Sequence, residues 1–344
     1  MIENLPTLRT IVVTGAAGLI GSECVQSLSR FCNRIVGIDC DKRSYFFGKE
    51  ASTKPIGEKL SKISGVVMLN LDITNYEDMN KVLKSEKDVD MIIHTAAQPS
   101  HDWAAKEPLT DFNINATGTM NMLELYRRLF PEASFVFTST NKVYGDRPNY
   151  LNLREAKTRY DYEHDIDESM SIDSCKHSIF GASKVAADIM VQEYGRYFGL
   201  NTVSFRCGCL TGGNHRGAKL HGFLSYLTKC MVADAPYTIF GYKGKQVRDN
   251  LHSRDLVKAF LHYHRAPKPG AVYNIGGGRK NSVSILEAIN LINDCAGLNW
   301  SNYTISEDAR LGDHKWYITD NGKFMSHYGW VVETSLRQII GDMI

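Results

Sequence analysis

Over its first two hundred residues the chain alternates short β-branched runs with longer stretches in which apolar residues recur every three or four positions. The runs at 10–14, 34–38, 66–69, 91–94, 134–138 and 201–205 predict strands, and the stretches at 19–30, 76–83, 115–129 and 181–198 predict amphipathic helices. Strands separated by helices pair through crossovers rather than hairpins, so the pattern predicts an α/β fold with a doubly wound parallel sheet covered on both faces. After residue 205 the rhythm changes. Thr211, Gly212, Gly213 and Asn214 read as a turn, 237–240 and 272–275 as short strands, and 284–296 as a helix. No linker rich in Pro, Gly or Ser divides the two regimes. The expected organisation is a first domain over 1–205, to which 244–271 returns, and a smaller, interleaved C-terminal domain built from 206–243 and 272–344.

Composition narrows the function classes. With 43% hydrophobic and 23% charged residues in 344, global disorder is excluded. A net charge of +2 argues against recognition of nucleic acid by bulk charge. No apolar run approaches the roughly 20 residues of a membrane helix, so no membrane partner is expected. The opening Met1, Ile2, Glu3, Asn4 lacks a basic segment, which points to a cytoplasmic location. The eight cysteines show no CxxC pair and no zinc spacing, so reduced thiols and no metal site are expected. Cys207 and Cys209 are expected to place both thiols on one face.

Candidate chemistry begins where the first strand runs into Gly15, Ala16, Ala17, Gly18, Leu19, Ile20 and Gly21. In a strand–turn–helix context Gly15 makes the sharp turn, while Gly18, with Ala17, Leu19 and Ile20 around it, lets the backbone approach a pyrophosphate at the positive helix end. Gly21 lets the helix pack closely on the strand. The second strand ends in Asp39, 18 residues after Gly21. A carboxylate there accepts both ribose hydroxyls of an adenosine and repels a 2′-phosphate, which favours NAD over NADP. Lys42 and Arg43 pull the other way. Asp72 and Ile73, after the third strand, are expected beside the adenine, with helix capping the alternative for Asp72.

The glycine spacing does not stand alone. His94-Thr95-Ala96-Ala97 closes the fourth strand, Asn115 opens a helix, and Thr138-Ser139-Thr140 closes the fifth strand. Ser178-x-Phe180-x-x-x-Lys184 follows, then Arg248-Asp249-Asn250-Leu251-His252 with Asp255, and Arg310-Leu311-Gly312-Asp313. Together these resemble the extended short-chain dehydrogenase/reductases of the NAD-dependent epimerase/dehydratase family, in family order and over nearly the whole chain. The resemblance implies a Rossmann-type sheet, with NAD contacts from Ala96, Ala97, Gln98, Asn115 and Lys184. It also implies a nucleotide-diphosphate sugar substrate and a homodimer formed through helices 115–129 and 181–198.

Family members carry a Ser or Thr, a Tyr and a Lys as a working unit. By resemblance Thr140 and Lys184 supply two of the three, and the tyrosine position holds Phe180. In the family pattern the lysine binds the nicotinamide ribose and lowers the phenol pKa, and the phenolate takes a sugar hydroxyl's proton as hydride moves to the nicotinamide. Phenylalanine has no proton to exchange. Three readings stay open: a Tyr→Phe variant that holds its substrate unreacted, a member using another base (His101, Asp102, Lys142 or Tyr144), or a sugar-nucleotide binding protein without turnover.

Where the related 4,6-dehydratases carry two acids after the threonine, this chain has Asn141 and Lys142, which argues against dehydration. The stretch 139–146, with 238–250, 251–255 and 273–279, resembles the CDP-tyvelose (CDP-paratose) 2-epimerases. That implies epimerisation by hydride removal to a keto-sugar and return to the opposite face, with a CDP-hexose favoured. A 4-epimerase or a dehydrogenase on the same scaffold is the alternative. By the same resemblance Arg248 and Arg310 clamp the diphosphate, a role that suits planar bidentate donors. Ion pairs with Asp249 and Asp313 are the alternative for them. Gln98, His101, Trp103, Thr140, Asn141 and Lys142 are expected around the sugar, Lys245 and Gln246 around the nucleotide, and His252 in a packing role. At Arg206-Cys207-Gly208-Cys209 the chain departs from the family's asparagine, which leaves pyrophosphate contacts from this loop unassigned.

Overall fold

The computed structural model describes residues 7–213, 222–310 and 312–344. The apolar runs form a seven-stranded sheet: β1 (Leu8–Thr14), β2 (Cys32–Ile38), β3 (Val66–Leu69), β4 (Val89–His94), β5 (Ser134–Thr140), β6 (Thr202–Cys207) and β7 (Ala271–Ile275). Its order is β7-β6-β5-β4-β1-β2-β3, with every pairing parallel. The direction of winding reverses between β1 and β4, and a crevice opens beyond the carboxyl ends of those two strands.

Alternation along the strands explains the two covered faces. Ile11 and Val13 pack with Cys24, Val25 and Leu28 of the helix Leu19–Leu28 and with Phe260 of the helix Ser253–Arg265. Val12 points the other way, into a core with Met122 and Tyr126 of the helix Gly118–Leu129 and Val191 of the helix Ser178–Phe198. All these side chains are buried.

The smaller part carries its own sheet. Val247–His252 is its spine, antiparallel to Ser282–Ser284 and parallel to Trp316–Tyr317 and Cys209–Thr211. A parallel pair, Tyr237–Phe240 with Tyr303–Ser306, flanks a separate core around Leu227, Ile292, Trp300 and Ile339. The helix Ile285–Ala296 begins at a reciprocal cap: Ser284 accepts from the Glu287 backbone, and Glu287 accepts from that of Ser284.

Several expected boundaries move. Residues 247–252 belong to the smaller sheet, while the helix Ser253–Arg265 packs into the core against the large one. Residues 271–275, expected mostly in the second domain, complete the large sheet as β7, and Phe324 and Trp330 pack into the same core. A short strand buried on both faces shows no alternation, so its sequence does not tell which sheet it joins. The helix expected to open at Asn115 is preceded by Pro108–Phe112 and a π-helical turn, Asn113–Thr117, which runs into Gly118–Leu129. The long helix begins at Ser178 rather than Gly181, with Ser178 itself at φ 59°. Cys207 closes β6 and Cys209 opens the next strand, so the two belong to different strands. Asn214 of the expected turn and the opening Met1–Asn4 lie outside the described residues, as does Leu311. Among the described residues no helix is long and apolar enough to cross a membrane, and no His/Cys/Asp/Glu cluster is arranged to hold a metal ion.

Candidate active site

One cavity of about 490 Å³ runs from the glycine-rich turn to the smaller sheet, and most of the expected site residues line it. At one end β1 turns at Gly15, whose φ is 65° and where a Cβ would meet the Ala96 backbone nitrogen at 2.8 Å. Gly18 is the N-cap of Leu19–Leu28, with no side-chain cap and no acidic residue in the first turn. The helix's positive end is therefore left for an external anion. Gly21 does not line the cavity; it lies against the turn itself, and an added Cβ would fall 2.1 Å from the Gly15 carbonyl oxygen and 2.7 Å from the Ala16 Cα. Because both clashing groups are backbone, Gly21→Ala is expected to cost about 1–3 kcal/mol or more and to weaken dinucleotide binding with it. Thermal unfolding with and without NAD measures both, and an unchanged Tm and affinity would contradict this packing.

Asp39 follows β2 directly, its carboxylate braced by three donors: Ala17 N at 3.0 Å, Asp41 N at 2.9 Å and Thr53 Oγ1 at 3.1 Å. Asp72 pairs with Lys42 and also accepts from Thr74 N at 3.0 Å. The cap of the helix Tyr76–Leu83 is Asn75, so the capping alternative for Asp72 is corrected. Burial alone would raise the Asp72 carboxyl, but Lys42 and Thr74 bring it below its ordinary value. Pairing thus quenches one of the two cations that argued for a 2′-phosphate, and the other, Arg43, lies over the Phe47 ring at 4.9 Å. Ile38, Phe46, Ile56, Leu71 and Ile73 give this end apolar walls. Phe46, Thr53 and Ile56 were not anticipated, since they arrive on segments that carry no motif.

At the other end Thr140 closes β5, and its Oγ1 accepts the Lys142 N–H at 3.2 Å, which caps the short turn Asn141–Tyr144. Phe180 and Lys184, one helical turn apart, project from the long helix into the same cavity. Lys184 Nζ donates to the Thr138 carbonyl at 2.9 Å and sits 4.2 Å from the Phe137 ring centre. Burial pushes its ammonium down to about 8. Phe180 packs edge-on to His101, with ring centres 4.9 Å apart, and His101 Nδ1 lies 2.8 Å from Ser178 Oγ. Burial, helped by Lys142, lowers His101 to about 3 and keeps it neutral.

A cationic group lines the same cavity beside this unit. Arg248 pairs with Asp313 and donates to the Val247 carbonyl at 2.7 Å, and Arg310 meets Asp102 at 3.0 Å. Both arginines line the cavity beside Lys142. The ion-pair alternative for each is thus realised, but with Asp313 and Asp102. Asp249 instead accepts from Gly278 N and Thr319 N, each at 3.1 Å.

Other expectations are corrected. Gln98 and Asn115 do not line the cavity. Gln98 Nε2 donates to Asp111 at 2.7 Å, and Asn115 accepts from Gln98 N at 2.9 Å and donates to Ser183 Oγ at 3.1 Å. Their role here is to set the loop that carries Pro99 and His101 to the site. Trp103 turns away, its indole N–H on the Phe46 carbonyl. Lys245 binds Glu155 at 2.8 Å and Gln246 the Phe240 carbonyl at 3.2 Å, so neither lines the cavity. Of the four alternative bases, Tyr144 is buried against Asn274 and Arg206, and Asp102 lies outside the cavity, whereas His101 and Lys142 line it. His252 caps the helix Ser253–Arg265 and is buried, in keeping with a packing role. Arg206 is buried in a pair with Asp188, while Cys207, Gly208 and Cys209 reach the cavity.

Comparison with known proteins agrees with this geometry. Residues 11–276 match the NAD dependent epimerase/dehydratase family. The chain is 30% identical to the CDP-paratose 2-epimerase of Salmonella typhi, over 97% of both chains. It is 26% identical to the dTDP-glucose 4,6-dehydratase of Salmonella typhimurium, over 96% of this chain and 91% of that one. Among solved structures, a tyrosine-to-phenylalanine mutant of the Bacillus cereus UDP-glucuronic acid 4-epimerase, in complex with UDP-4-deoxy-4-fluoro-glucuronic acid and NAD, superposes with a TM-score of 0.79. Its identity is 25%, over 97% of each chain.

Proposed function

The chain belongs to the NAD dependent epimerase/dehydratase family, and from that premise we propose that it is a nucleotide-sugar epimerase of the CDP-paratose (CDP-tyvelose) 2-epimerase kind, slowed by the phenylalanine at position 180. NAD is the family's cofactor, and the dinucleotide end fits it. The uncapped helix at Gly18 takes the diphosphate, Asp39 takes the adenosine ribose hydroxyls, and the apolar walls around Ile38 and Phe46 take the adenine.

NAD, when bound, supplies the acceptor and donor of two electrons. The chain does the rest. Arg248 and Arg310 hold the sugar nucleotide by its diphosphate, Thr140 donates a hydrogen bond to the reacting sugar oxygen, and Lys184 orients the nicotinamide ribose. Phe180 shapes the site and excludes water. The nucleotide stays anchored while the sugar turns in the looser part of the cavity, so the anchoring and reacting residues have separate tasks.

The observation that carries this reading over dehydration is the turn after Thr140. It places Asn141 and Lys142 on the cavity wall, where elimination of water needs carboxyl groups. The carboxylates lining the cavity are Asp39 and Asp72, at the adenosine end, and Asp313, which is paired with Arg248. Oxidation and re-reduction need none there. The full-length similarity to a CDP-paratose 2-epimerase supports the choice of carbon and of a CDP-hexose. The Bacillus cereus mutant supports the view that a Tyr→Phe change in this fold is compatible with holding both ligands. Exposed Leu109, Phe112, Ile179, Tyr197 and Phe198, on neighbouring helices, support a homodimer.

The test is NMR of the products formed from CDP-, GDP-, UDP- and dTDP-hexoses without added NAD, by the chain and by its Phe180→Tyr variant. A new anomeric signal from a CDP-hexose is expected. Stoichiometric NADH release would make the protein a dehydrogenase, and silence from both chains with NAD bound would make it a binding protein.

A further inference from the structure

Resting on the epimerase reading, we propose that Lys142, as a neutral amine, is the proton acceptor and donor that phenylalanine at position 180 cannot be. Thr140 and Lys142 leave the same short turn, the threonine hydroxyl accepting the lysine's own backbone N–H. Both side chains line the cavity with Phe180 and Lys184. Lys142 Nζ donates to the Gly312 carbonyl at 2.8 Å. Gly312 in turn lies against the His101 ring, since a Cβ built there would fall 3.0 Å from His101 Nδ1 and 3.7 Å from the Ser178 Cβ. With His101 edge-on to Phe180, the lysine, glycine, histidine and phenylalanine form one continuous wall.

The partners of the Lys142 nitrogen decide its form. Among the described residues it makes no ion pair within 4.0 Å, and its one hydrogen bond is to a carbonyl. A half-buried ammonium so partnered is poorly compensated, whereas an amine keeps the bond to Gly312 and retains a lone pair for the cavity. The charges around it act in both directions: Arg248 and Arg310 oppose protonation, Asp313 favours it, Cys209 is kept a neutral thiol by burial, and His101 and His314 are held neutral by burial. Burial is the largest influence, and the outcome is an ammonium pushed down to about 8. Roughly one molecule in ten then carries the free amine at pH 7. His101, at about 3, is a far weaker base.

The step balances. The sugar hydroxyl's proton passes to the Lys142 lone pair, and the hydrogen on the same carbon leaves with its electron pair to the oxidised nicotinamide. A ketone and an ammonium result, and the return reverses both transfers. Activity of the native chain should therefore rise with pH through about 8.

The experiment compares kcat for the native chain, Lys142→Met, Lys142→Arg, Phe180→Tyr and the double variant Phe180→Tyr/Lys142→Met. In the native background both lysine substitutions should lower kcat by about 10²-fold or more, since arginine keeps the charge but cannot release a proton. In the tyrosine background Lys142→Met should cost less than about tenfold, because the phenol takes over. An equal loss in both backgrounds, or recovery with arginine, would make Lys142 a binding residue and overturn the proposal while leaving the epimerase reading intact. Turnover confined to the tyrosine chains would also overturn it. No turnover in any chain would overturn the epimerase reading and the proposal together. A readout independent of turnover is the NMR titration of ¹³C-methylated lysines in the ligand-free protein. The resonance missing from Lys142→Met should titrate near 8, and an ordinary value near 10.5 would refute the assignment.

Discussion

Replacing Phe180 by tyrosine is expected to raise kcat at neutral pH by up to about 10²-fold, the part of a positioned general base's ~10²–10⁴ that Lys142 does not already supply, with little change in affinity for NAD or sugar nucleotide. The rest of the unit is already in place. Thr140 and Lys184 line the cavity, Phe180 sits one turn before Lys184, and its ring is 7% exposed. A phenol here shares an enclosed site with the Lys184 ammonium, and such a neighbour stabilises the phenolate. The pH profile should shift with the rate: the native chain gains activity as Lys142 loses its proton near 8, while the tyrosine chain reaches its plateau at lower pH. Time courses of product formation across pH measure both. An unchanged rate would show that position 180 is not where the proton group is missing.

The second large effect is on stability. Asp188→Ala is expected to cost about 3–5 kcal/mol by leaving the Arg206 guanidinium buried without its partner. The side chains are 1% and 7% exposed and meet at 2.8 Å. Asp188 also accepts from Gln192 at 2.6 Å and Ser204 at 2.5 Å, and Arg206 reaches the Tyr144 hydroxyl at 3.2 Å. Tyr144 in turn donates to Asn274 on β7 at 2.7 Å, so the pair ties the long helix to β6 and, through the tyrosine, to β7. Burial alone would raise the Asp188 carboxyl, but Arg206 holds it below its ordinary value. A depressed carboxyl contributes stability above its unfolded pKa, about 3.9, and loses it as pH falls through the lower folded value. The gap between native and variant proteins should therefore narrow in acid. Denaturant unfolding at neutral and acid pH tests this, and a loss below about 1 kcal/mol at pH 7 would contradict it.

What the sequence disclosed and what it withheld follow from physical causes. Strands such as 66–69 and 237–240 were legible to the residue because an apolar run between turn formers has few alternatives. Gly15, Gly18 and Asp39 were legible because each answers a backbone or charge demand that few residues meet. Gln98, Asn115 and Trp103 were placed at the correct end of the sheet but credited with facing the ligand. A polar side chain at a strand end is satisfied equally well by the loop beneath it, and here Asp111, Ser183 and the Phe46 carbonyl took those side chains. The state of Lys142 was beyond sequence. As an exposed ammonium it has no acid–base use at neutral pH, and only its enclosure beside Arg248, with a carbonyl for a partner, changes that. The partners of Arg248 and Arg310 depended likewise on which acids the fold brought near.

The late arrival of β7 bears on how the protein is made. Strand β6 is buried along its whole length, and one of its two neighbours, β7, is translated more than sixty residues after it. Until residue 275 has cleared the ribosome, the nascent chain presents β6 as an apolar edge with open hydrogen-bonding groups. On this order of strands the large sheet closes late in synthesis, and its last register is set only when β7 reaches β6.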